Sequence, residues 1–160
     1  MNHQSLIAMK VFGLEIPDSK GLTNFELIDY AKKLNIKTFR GVFMRDKLPS
    51  KPLYEECGIV NLNTSKEAGS HWVCYYKKGL KRLFFDSFGQ ITPIEIQRYL
   101  KTHAEFERNI SVIQRITNII QKLNTHICGH LCLYVLRKLS DNNLQYQQVL
   151  NTLELNNGYS

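Results

Sequence analysis

The stretch that most constrains the fold is His71–Asp86, HWVCYYKKGLKRLFFD. Residues 71–77 read as a strand. His71, Val73 and Tyr75 fall on one face and Trp72, Cys74 and Tyr76 on the other, because successive side chains of a strand alternate. Lys78-Gly79 reads as a turn and Arg82–Asp86 as the returning strand, so the whole is a β-hairpin. His71 opens the first strand and Asp86 ends the second. In an antiparallel pair those two ends are neighbours. Topology alone therefore brings an imidazole and a carboxylate, fifteen positions apart, to one edge of a sheet.

The second informative stretch is Gln121–Cys132, QKLNTHICGHLC. Cys128, Leu131, Cys132, Val135, Leu136 and Leu139 recur at helical spacing and form the buried stripe of a helix. Cys128 sits in its first turn and Ser140-Asp141 stops it. The unpaired N–H groups at a helix start lower the pKa of a thiol, and a nearby imidazole can take its proton. A side-chain amide, here Gln121 seven positions upstream, can stabilise an oxyanion. Alone, each residue has a plainer reading: Cys128 as a buried structural thiol, His71 as a strand-end histidine, Asp86 as a turn-forming acid. Together they are the set a cysteine hydrolase requires, with His71 as general base and Asp86 orienting its ring.

A zinc site is the rival chemistry. His126, Cys128, His130 and Cys132 stand at every second position. Helical neighbours two apart are rotated by about 200°, and only i,i+4 pairs share a face, so the helix offers two ligands where a closed tetrahedral site needs four. No second CxxC or HxxxH pair exists, and no metal is expected.

Elsewhere, Thr23-Asn24-Phe25-Glu26 is a capping box that opens a helix over 24–34, with Asn35 as a left-handed stop. Residues 38–44 read as a short strand broken at Gly41, 45–56 as a proline-containing loop, 57–63 as a buried strand and 65–70 as a loop. Thr92-Pro93-Ile94-Glu95 is a second capping box that predicts a helix over 93–102. Residues 109–116 read as a strand, and a last helix is expected over 142–154. Residues 1–20 carry little pattern and are expected to be loosely ordered or to pack as an arm. A chain of 160 residues with 43% hydrophobic content suits one domain, expected to be a monomer. No apolar run reaches the roughly 18 residues of a membrane span, and the first residues do not read as a signal peptide. Four irregularly spaced cysteines do not make a disulfide framework, so an intracellular, reducing setting is expected. The net charge of +7 serves solubility or attracts DNA, RNA or an acidic partner.

Against this background the chain resembles the adenovirus-type maturation proteases, adenain-like cysteine proteases related to the SUMO deconjugases and found also in virophages and Polinton/Maverick elements. The resemblance runs from about Phe39 to Leu139, and more weakly back to Leu22. It is carried by Cys57–Asn61 (CGIVN), Gly69–Trp72 (GSHW), Phe85–Gly89 (FDSFG), and Gln121 seven before Cys128-Gly129. The Gln-to-Cys spacing fits adenain better than the SUMO enzymes, where one residue fewer is usual. The resemblance implies an α+β fold: a mixed central sheet, with the His- and Asp-bearing hairpin, packed against helices that include the nucleophile's own. It implies Cys128 as nucleophile, His71 as base and Asp86 as its orienting acid. The Gln121 side chain and the Cys128 N–H would form the oxyanion hole. Trp72, roofing a narrow channel, and Gly129 are the expected substrate-binding residues. The implied substrates are capsid precursors cut next to glycine, in the virion and host-cell interior; ubiquitin-like deconjugation and an inactive DNA- or capsid-binding module are the alternatives. Two departures stand out. The acid is Asp86 in DSFG, where the adenovirus enzymes have Glu in an EPFG-like run. Residues 105–111 hold no cysteine, so activation by a disulfide-linked peptide is not expected; the chemistry needs no cofactor, and DNA remains compatible with the charge as an activator.

Overall fold

The computed structural model describes residues 8–64, 71–122, 124–141, 148–149 and 151. Its centre is a five-stranded sheet in the order β3 (Phe39–Met44), β4 (Glu55–Asn61), β5 (Trp72–Lys78), β6 (Lys81–Phe85) and β7 (Gln114–Arg115). The middle strands β4, β5 and β6 are antiparallel, while the outer pairs β3–β4 and β6–β7 are parallel, so the sheet is mixed. The fold is α+β, as expected.

Both faces of the sheet are covered, and the alternation in β5 sorts its side chains between two cores. Trp72 and Cys74 join Leu83 and Phe85 of β6 against helix α4 (Cys128–Ser140), with helix α1 (Asn24–Lys33) alongside. Val73, Tyr75 and Phe84 face the opposite way, onto Ile96, Tyr99 and Leu100 of helix α2 (Ile94–Leu100). Helix α4 contributes more buried residues to the larger core than any other element. Leu131, Leu133, Val135 and Leu136 are at most 1% exposed, each contributing about 1.5–3 kcal/mol by burial.

Local signals decide several boundaries. In α1 both halves of the Thr23–Glu26 capping box form, and Asn35 takes the left-handed conformation at φ 59°. The helix expected over 93–102 instead starts at Ile94 with Pro93 at its cap. Pro93 is extended (ψ 148°) and offers no side-chain acceptor, so Thr92 does not cap it. A capping box does form ten residues on, where Thr102 and Glu105 open helix α3 (His103–Glu107). Beyond its C-cap Arg108 the chain turns at Asn109, φ 52°, and of the strand expected over 109–116 only Gln114–Arg115 pairs.

Within residues 8–17, β1 (Ala8–Val11) and β2 (Leu14–Pro17) form a hairpin. Phe12 and Gly13 both have positive φ, the geometry of a tight two-residue hairpin turn. Val11 and Ile16 are fully buried in the larger core. Of the helix expected over 142–154, all but 148, 149 and 151 lies outside the described residues; Val149 is buried in the same core. Among the described residues no helix is long and apolar enough to cross a membrane.

Candidate active site

The hairpin β5–β6 delivers the expected pair. Cys74 lies opposite Phe85 in the register, which carries the chain just before β5 alongside the chain just after β6. His71 Nε2 lies 2.7 Å from Asp86 Oδ1. The same carboxylate oxygen accepts the Phe88 N–H at 2.9 Å, and the Phe88 ring stacks on the imidazole with centroids 4.9 Å apart. The His71 ring is thus held at its edge and on its face. Asp86 is 2% exposed, and its Oδ2 has no partner among the described residues.

Cys128 is the first residue of α4, so its N–H and those of the next two residues have no carbonyl within the helix to bond. The sulfur receives the Trp72 N–H at 3.5 Å. Because Asp86 occupies Nε2, Nδ1 is the ring nitrogen left for the thiol. Burial pulls the His71 pKa down, but the hydrogen bonds to Asp86 and Cys128 and the charges of both outweigh it and push it up to about 9. At neutral pH the ring is then an imidazolium.

Gln121 is 2% exposed. Its Oε1 accepts from the Ser87 hydroxyl at 2.6 Å and its Nε2 donates to the Thr125 carbonyl at 3.0 Å. His71, Asp86, Gln121 and Cys128 all line one open cleft of about 840 Å³, whose apolar wall includes Val42, Phe43, Met44 and Leu62. Trp72 borders this cleft and also belongs to the core, its Nε1–H donating to the Leu22 carbonyl at 2.9 Å. Gly129, expected to touch substrate, is instead buried and does not line the cleft. A Cβ there would come within 3.2 Å of Leu27 Cδ2 and 3.3 Å of Trp72 Cδ1. Its small size serves the packing of α4 under Trp72.

The four alternating His and Cys residues diverge. His126 is exposed at the cleft. His130 is buried, its Nε2 bonded to the Pro17 carbonyl at 2.7 Å, and burial lowers its pKa. Cys132 is fully buried against Cys74. Among the described residues no three His, Cys, Asp or Glu side chains converge as metal ligands would.

Several contributors escaped the sequence reading: the Trp72 N–H on the sulfur, Phe88 on the imidazole, and Ser87 with Thr125 on the Gln121 amide. The Ser87 contact has no local signal, because it joins residues 34 apart. Gly89 had one. At φ +67° a Cβ would lie 2.5 Å from the Thr117 carbonyl oxygen, so the FDSFG run needs glycine there for the chain to pass so close.

This assembly of sheet, α4 and cleft is a papain-like cysteine-protease fold. The particular solved structures it is similar to are of the ASFV pS273R protease. One matches with a TM-score of 0.53 and 20% identity over 82% of this chain and 61% of that one. Its Se-Met counterpart matches with 0.52 and 20% over 83% and 62%. The chain therefore spans less than two thirds of that protease. At this identity the likeness is one of fold, and it does not single out the adenovirus-type branch. No protein-family model matches the chain, and neither does any curated protein sequence.

Proposed function

We propose that the chain is a cysteine endopeptidase in which Cys128 is the nucleophile, His71 the general base and acid, Asp86 the orienting acid and Gln121 an oxyanion donor. The observation that carries this reading is the chain of contacts from the first residue of α4 to the imidazole and on to Asp86 at 2.7 Å, at the wall of one cleft. His71 takes the thiol proton. The thiolate attacks a peptide carbonyl, and a Gln121 Nε2–H with the Cys128 N–H holds the oxyanion, each donor contributing about 3–4 kcal/mol. As the C–N bond breaks, His71 gives its proton to the leaving amine, and a thioester remains. Water then attacks the thioester, losing its proton to His71. The acid product departs and the thiol is restored.

The substrates we infer are structural precursors of a virus or virus-like element, cut next to glycine inside the host cell or virion. Support comes from the sequence resemblance to maturation proteases and the likeness to the fold of a viral protease. The +7 charge suits nonspecific DNA as an accessory.

A thiol-directed suicide probe ending in glycine tests the enzyme claim. It is expected to label the wild type and not Cys128→Ala, and an unlabelled wild type overturns the reading. Cleavage of the co-encoded capsid precursors, with and without DNA, is expected to exceed cleavage of ubiquitin or SUMO fusions. The reverse preference would make the chain a deconjugase.

A further inference from the structure

The Gln121 amide is held at every point by which it could turn. Ser87 is fully buried. Its carbonyl accepts the Ile120 and Gln121 N–H groups at 2.7 and 3.0 Å, which ties down the backbone. Its hydroxyl donates to Gln121 Oε1 at 2.6 Å, which ties down the side chain. The other end of the amide donates to the Thr125 carbonyl at 3.0 Å. A flipped amide would set Oε1 against that carbonyl, acceptor against acceptor, so the hydroxyl and the carbonyl select one orientation together. In it, one Nε2–H is spent on Thr125 and the second has no partner among the described residues. Gln121, Thr125 and Cys128 line the same cleft.

We propose that Ser87 is a positioning residue for the oxyanion donor: through Gln121 Oε1 it aims the second Nε2–H at the carbonyl oxygen of a substrate attacked by Cys128. This rests on the endopeptidase reading above. It makes the dipeptide at the end of β6 serve both halves of the chemistry. Asp86 orients the group that moves the proton, and Ser87 orients the group that receives the negative charge. Precise aim matters because such a donor acts only when fixed in advance of the charge.

The test compares two reactions of the same sulfur. Hydrolysis of a glycine-ended fluorogenic peptide passes through an oxyanion, whereas alkylation by iodoacetamide displaces iodide and forms none. Ser87→Ala is expected to lower kcat about tenfold to a hundredfold with KM within about twofold. It is expected to weaken a glycine-ended peptide aldehyde by a similar factor, and to leave the alkylation rate within about twofold of wild type. In a Gln121→Ala background Ser87→Ala is expected to change kcat no further, since its effect runs through the amide. Ser87→Thr, which keeps the hydroxyl, is expected to restore kcat. Full kcat in Ser87→Ala, an equal loss of alkylation, additivity with Gln121→Ala, or a Ser87→Thr as slow as Ser87→Ala would each overturn the inference. A wild type that neither hydrolyses the peptide nor takes the suicide probe would instead remove the endopeptidase reading itself.

Discussion

Gly89→Ala links the backbone of the FDSFG run to the proposed chemistry. Gly89 sits at φ +67°, where a Cβ costs about 1–2 kcal/mol of backbone strain. The added methyl would stand 2.5 Å from the Thr117 oxygen and 2.7 Å from the Asn118 oxygen, both main-chain atoms. Relief to an ordinary contact of 3.4 Å requires that segment to retreat by about 0.9 Å. It cannot do so freely, because the Ile120 and Gln121 N–H groups are bonded to the Ser87 carbonyl. Stretching both bonds by that amount breaks them, at about 1 kcal/mol each, for a total near 3–4 kcal/mol. The same displacement moves Gln121 out of register with Cys128, and a misplacement of about 1 Å costs about a hundredfold in rate. Gly79→Ala is the control. It shares the strain at φ +59°, but its Cβ meets only the tip of the exposed Tyr54 side chain, at the far end of the hairpin. Urea unfolding and kcat/KM on a glycine-ended peptide read the two effects. Gly89→Ala is expected to lose both stability and rate, and Gly79→Ala stability alone, by about 1–2 kcal/mol. Gly89→Ala with kcat/KM within twofold of wild type, or Gly79→Ala as slow as Gly89→Ala, would refute the reasoning.

Three further outcomes follow from named contacts. The His71 pKa, raised from 6.5 to about 9, makes its charged form a source of stability that is full below pH 6.5 and lost as pH rises through 9; the Tm is expected to decline across that window, and less so in Asp86→Asn. Peptide hydrolysis should fall above pH 9 as well, since the imidazolium that protonates the leaving amine is lost. Glu105 is held down to about 2, first by the Arg82 guanidinium and then by the Thr102 N–H, so its contribution persists above the ordinary value of 4.5 and disappears as pH falls through 2. Glu105→Ala, which leaves the 5%-exposed Arg82 with only the Leu80 and Leu100 carbonyls, should cost about 2–4 kcal/mol in urea unfolding, under the fully buried figure because the carboxylate keeps some solvent and the guanidinium keeps those two acceptors. Thr23→Ala removes the cap of α1, about 1 kcal/mol, and should lower the Tm by about 2–4 °C.

What could be read from the sequence was whatever short-range rules decide. The period of two in β5 and the turn after it bring His71 and Asp86 together whatever the rest of the chain does, and the structure has them 2.7 Å apart. The stripe from Cys128 to Leu139 sets a helix start at Cys128 with no knowledge of what it packs on. Thr102–Glu105 obeys the same kind of rule, whereas the β-branched run after it reads as a strand but finds a partner only at Gln114–Arg115. The hairpin at residues 8–17 is harder to read, because its turn, Phe12-Gly13, lacks the Asn-Gly or Asp-Gly pair that announces such turns. The remainder depends on where distant segments cross. Nothing local to FDSFG says that the 117–121 segment will lie on it, that Ser87 will meet Gln121, or that the Trp72 N–H will point at a sulfur 56 residues away. Gln121 is a candidate in the sequence as a nearby amide and gains a defined role through its spacing to Cys128 in a resembling family, since physically it is one amide in a loop until Ser87 fastens it. The residues that define the reaction are therefore set by local rules, and those that hold them to sub-ångström positions by long-range ones. On that division, exchanging the hairpin turn, which the structure places at Gly79-Leu80 with Lys78 paired to Lys81 rather than at the expected Lys78-Gly79, for another two-residue turn should leave hydrolysis intact, while single changes at Ser87 or Gly89 should not.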